Sequence, residues 1–133
     1  MRHKPKFLIL MIVLLASISN LKAQTSSAIT PVIYWKFITE KSMVDFFYRV
    51  AECENTKQIY LRVKNDLPKE RVISFTVEIT GTEKISKEIS LNAIPAAILE
   101  PDCDDKSKNK MLRIDLPPKF NVSSLEVKIK LHQ

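Results

Sequence analysis

The chain of 133 residues carries 21 basic and 15 acidic side chains, two histidines, two cysteines, one tryptophan and a single glycine. One glycine excludes a glycine-rich phosphate-binding loop, and with His3 in a basic lead expected to be cleaved, the single remaining histidine, His132, excludes a catalytic zinc centre built on several imidazoles. The formal net charge of +6 would suit a polyanionic partner, but much of it sits at the beginning of the chain.

Residues 1–23 read as a cleaved signal helix. Arg2, His3, Lys4 and Lys6 form a basic lead, an apolar run fills 7–16, and Leu21-Lys22-Ala23 supplies a small-residue cleavage site before Gln24. The apolar run falls short of the roughly 20 residues that span a bilayer. Export to the periplasm or the extracellular space is therefore expected, with no stable membrane span after cleavage. Cleavage removes Arg2, Lys4, Lys6 and Lys22 and no acid, leaving 17 basic against 15 acidic side chains. That balance is near neutral and its cations are scattered, so no nucleic-acid partner is expected.

Residues 24–30 form a polar, flexible lead-in, and residues 31–133 a single domain. Residues 31–38 predict an edge strand opened by Pro31, where a missing N–H is tolerated, with Trp35 as a packing residue. In residues 44–53, Val44, Phe46, Tyr48 and Val50 alternate with Asp45, Phe47 and Arg49. Phe47 on the polar face hints at a second packing surface. Ile59, Leu61 and Val63 then alternate with Tyr60, Arg62 and Lys64, which the period of two places in water. Residues 65–70 predict the turn of a hairpin to the next strand, where Ile73, Phe75, Val77 and Ile79 face inward. Gly81 suits a turn needing positive φ.

Residues 85–91 form a shorter strand with Ile89 and Leu91 inward. Residues 94–99 are apolar but long enough only for a helical turn or a buried crossing, and residues 100–110 are a solvated loop. Strands resume at 111–116, with Leu112, Ile114 and Leu116 inward, and at 125–131, separated by Pro117-Pro118. About seven short strands without a long helix predict an all-β, Ig-like antiparallel sandwich.

Cys53 and Cys103 allow one intramolecular connectivity, and an exported chain favours its oxidation. Closing that loop stabilises by about 4 kcal/mol in the chain-entropy picture. The antibody hallmark is absent, because Trp35 precedes both cysteines, and no Cys-x-x-Cys points to redox catalysis. A disulfide would gather Glu52 and Glu54 with Asp102, Asp104 and Asp105, beside Glu100, the oxygen chemistry of a hard cation. The spacing fits no EF-hand, and Lys106, Lys108 and Lys110 follow at once, so a solvated charged loop is expected and no metal or other cofactor is implied. After cleavage His132 is the only histidine, placing any nucleophilic triad at a chain end. Asn121-Val122-Ser123 matches the glycosylation triplet.

The runs Phe46-Phe47-Tyr48-Arg49-Val50 before Cys53, Ile59-Tyr60-Leu61-Arg62-Val63-Lys64-Asn65, and Val72 through Glu78 resemble small secreted β-proteins of the Bacteroidota. The Lys22-Ala23-Gln24 junction is similar to theirs. The resemblance implies an exported Ig-like module of the cell envelope and carries over no functional residue. The expected function is thus a non-enzymatic interaction module with a protein partner in the envelope or outside the cell. Contact is expected at an open edge such as residues 31–38, or on the loop around Cys103. The alternative is a cation- or small-ligand-binding protein using the acidic loop. A third reading, a glycan-active hydrolase, would require carboxylates converging in a concave pocket.

Overall fold

The computed structural model describes residues 34–104 and 106–132. The expected signal helix at 1–23, the expected lead-in at 24–30, residues 31–33, Asp105 and Gln133 lie outside the described residues. No described helix is long and apolar enough to cross a membrane.

Among the described residues eight strands form two antiparallel sheets. The first sheet contains β1 (Lys36–Lys41), β2 (Val44–Cys53) and β3 (Thr56–Asn65), then the short β6 (Ile98–Leu99) and β7 (Arg113–Asp115), both paired to β3. The second contains β4 (Arg71–Thr80) at its centre, flanked by β5 (Lys84–Ala93) and β8 (Glu126–Leu131). The predicted all-β antiparallel sandwich is present. Its core is the set of inward positions read from alternation: Val44, Phe46, Ile59, Leu61 and Val63 from one sheet, Ile73, Phe75, Val77 and Ile79 from the other. Phe46 and Phe75 meet edge to face across the sheets at 5.0 Å.

Both hairpins of the first sheet use two-residue turns with positive φ and no glycine. Ser42 and Met43 join β1 to β2 at φ 52° and 60°, and Glu54 and Asn55 join β2 to β3 at 50° and 63°. Such turns match the twist of the flanking strands. The Ser42–Met43 turn is tied down by Arg71, which donates to the Ser42 carbonyl at 3.0 Å, and by the Asp66 N–H on the Met43 carbonyl at 3.0 Å.

Several expectations need correction. The first strand runs over Lys36–Lys41 and leaves Tyr34 and Trp35 outside it. Residues 65–70 are not a hairpin turn: β3 and β4 lie in different sheets, so this link crosses the sandwich. Alternation reveals which face of a strand is buried but not which strand it pairs with. Asn65, fully buried, organises the crossing. Its amide donates to the carbonyls of Lys69, Ala93 and Ile94, and its Oδ1 accepts from Leu67 N–H.

Gly81 does not adopt positive φ. It is instead a contact point, since a Cβ there would lie 2.5 Å from the buried Phe120 ring. Residues 94–99 form neither a helical turn nor a buried crossing: Ile94 and Ile98 are exposed, Ala96 takes positive φ, and Ile98–Leu99 pairs with β3. Val50, expected inward, is exposed, whereas Tyr60, expected in water, is only 3% exposed.

Candidate functional site

Cys53, the last residue of β2, is bonded to Cys103 across a sequence separation of 50. The neighbouring acids do not converge. Asp102 Oδ1 accepts from Asp104 N–H at 3.0 Å, and Asp104 Oδ1 from Lys106 N–H at 2.9 Å, so both serve local turns. Glu100 reaches away to Arg62, with both its contacts at 2.6 Å. Glu52 and Glu54 are exposed. Among the described residues no three His, Cys, Asp or Glu side chains gather to hold a metal.

His132 does find partners that the sequence left unassigned. Its Nε2 lies 2.7 Å from Thr76 Oγ1, its Nδ1 3.7 Å from Glu88 Oε1, and its N–H donates to the Ser74 carbonyl at 2.8 Å. The pairing of β4 with β5 and β8 creates this hydroxyl–imidazole–carboxylate row. It lies on the exposed outer face of the second sheet, away from the cleft beside Cys53, which is lined by other side chains.

The outer face of the first sheet is built differently. Antiparallel pairing sets Phe47 opposite Arg62, Arg49 opposite Tyr60 and Asp45 opposite Lys64. Trp35 folds over this lattice and completes a stack. The Arg62 guanidinium lies 4.3 Å from the Trp35 ring centre, the Arg49 guanidinium 5.0 Å from the same ring and 4.9 Å from that of Tyr60. Cations over aromatic faces are held by the ring quadrupole, and more firmly when desolvated. Arg49 Nε is buried and has no hydrogen-bond partner, so the two ring faces are its main compensation. This cover explains the burial of Tyr60.

Beside the stack, Phe37 packs edge to face on Phe47 at 5.5 Å and remains 58% exposed, and Tyr34 is 76% exposed. On the other side, Lys64 bridges Asp66 at 2.8 Å and Asp45 at 3.9 Å. The hydrogen bond and charge of Asp66 raise the Lys64 pKa above the usual lysine value, while desolvation, then the charge of Asp66, raises that of Asp45. The face therefore runs from exposed aromatics, through stacked arginines, to a compensated charge cluster. Alternation had marked Phe47 as anomalous, but only the β2–β3 register could reveal the arginine–aromatic pairs.

The chain matches no family of known proteins, no curated protein and no solved structure.

Proposed function

We propose that this chain is an exported, non-enzymatic, Ig-like interaction module that binds a protein partner in the envelope or outside the cell through the outer face of its first sheet. The observation that carries the reading is the pre-stacked Trp35, Arg49, Tyr60 and Arg62 array flanked by the exposed rings of Tyr34 and Phe37. Binding energy in protein interfaces concentrates in Trp, Tyr and Arg side chains, and those already held in place lose little entropy on association. The disulfide supports export, since such bonds persist in oxidising compartments.

Edge pairing is less well supported. β1 is short, its register shifts between Phe37 and Thr39, and lysines stand at both its ends. β5 is ten residues long and regular, but it turns Lys87 toward the sandwich. Bulges and inward charges are the features that keep natural edges from recruiting further strands. The acidic loop is occupied by its own turns, which leaves the aromatic face as the best-equipped surface.

Affinity capture from the native envelope tests the reading. Phe37→Asp places a charge at the centre of the exposed aromatics, and is expected to abolish recovery of the partner. Val72→Asp, on the exposed outer surface of the second sheet, is expected to leave recovery intact. Equal recovery with both variants would refute the assignment.

A further inference from the structure

A cleft of about 550 Å³ opens beside the disulfide, between β3 and β7 of one sheet and β5 of the other. Cys53, Gln58, Lys87, Lys110 and Asp115 contribute to its lining. Two of these side chains have unmet needs, and the two needs differ in kind.

Lys87 projects from β5 into the gap between the sheets. Its ammonium donates to the carbonyls of Met111 at 3.1 Å and Arg113 at 2.8 Å. An ammonium has three protons, so one donor remains. Burial, only partly offset by the charge of Asp115, holds its pKa below the usual lysine value. Among the described residues no carboxylate lies within ion-pair distance of Lys87: its ammonium donates to carbonyls, and the charge of Asp115 acts on it only from farther away. Partly burying a cation without a directly paired counter-ion is unfavourable, and an anion brought beside it would relieve that cost.

Gln58 is only 8% exposed. Its amide nitrogen donates to Asp115 Oδ1 at 2.6 Å, while its Oε1 is buried with no partner. Flipping the amide would set two oxygens against each other, so the bond to Asp115 fixes the orientation and leaves an acceptor in want of a donor. Lys110 adds a second ammonium at the exposed rim.

We propose that this cleft binds a small hydroxylated carboxylate. The carboxylate is received by Lys87 and Lys110, and a hydroxyl donates to Gln58 Oε1. The cleft has room for a hydroxy acid as small as lactate or for a monosaccharide acid such as glucuronate. The site is separate from the aromatic face, so either assignment can fail without the other.

The test is NMR titration of the isotopically labelled protein with glucuronate and with lactate, set against glucose and acetate, which each carry only one of the two groups. Saturable shifts of the Gln58 side-chain amide are expected with at least one of the hydroxy acids, about tenfold tighter than with either control. Binding of lactate identifies a small hydroxy acid, and binding of glucuronate alone identifies a sugar acid. Lys87→Met is expected to weaken binding about tenfold or more. Should that variant not fold, Lys110→Ala at the exposed rim, expected to weaken binding several-fold, carries the same test. No saturable shift with either hydroxy acid, equal affinity for acetate, or undiminished binding in Lys110→Ala would overturn the proposal.

Discussion

A Cβ built on Gly81 would meet Cζ and Cε1 of Phe120 at 2.5 and 2.6 Å, with the Asn121 carbonyl oxygen at 3.1 Å. The Phe120 ring is itself buried, so it cannot simply swing into solvent. Gly81→Ala is therefore expected to cost about 1–3 kcal/mol, the range for forcing extra volume into a packed site. The cost should shrink in a Phe120→Leu background, where the ring is gone, and urea denaturation of the four proteins in that cycle checks both statements. Lys87 supplies a pH-dependent counterpart. Its folded pKa lies below the unfolded value of 10.5, so within that window the unfolded chain binds more protons. Stability from this group consequently rises with pH between the folded pKa and 10.5, and the penalty is fully present below the window. The wild type should gain stability relative to Lys87→Met as the pH rises towards 10.5, read from denaturation midpoints. A difference that falls over this range would contradict the assigned environment.

Among the elements, the segment carrying Trp35 illustrates how far sequence patterns reach. Periodicity of two located β2, β3, β4 and β8 and nearly all of their inward residues, because burial of one face is a local property of a strand. It could not assign Asn65 to a crossing between sheets, since the partners of its amide, Lys69, Ala93 and Ile94, are fixed by topology. Nor could it place Trp35 over Arg49 and Arg62, residues brought together only by the register of β2 on β3. The disulfide was legible from two cysteines and the expectation of export, but the chemistry around it was not. Asp102 and Asp104, next to Cys103, turn to their own backbone, while Lys87, distant in sequence, reaches the cleft. Trp35→Ala would uncover Tyr60 and Arg49 together and is expected to cost about 2–3 kcal/mol, at the low end for a large aromatic because the ring is half-buried. Arg49→Lys keeps the charge but loses the planar stack, and about 1 kcal/mol is expected. Both are measured by chemical denaturation followed by circular dichroism, since Trp35 is the only tryptophan.

For the whole molecule, two sheets share one core, and the Cys53–Cys103 bond ties the end of β2 to the long loop ahead of β7. A closed loop of 50 residues stabilises by about 4 kcal/mol, a large part of the 5–15 kcal/mol typical of a domain. A Cys53→Ser, Cys103→Ser double variant should therefore keep the sheets and lose roughly that amount, as measured by urea unfolding. The same rigid frame presents the aromatic face, on which the functional reading depends. The most direct measurement places a photo-crosslinking amino acid at Phe37 in one protein and at Val72 in another, with irradiation in the native envelope. The expected result is a discrete covalent adduct from position 37 and none from position 72. Adducts from position 72 alone, or none from position 37 with the protein folded and exported, would contradict the assignment of the binding face.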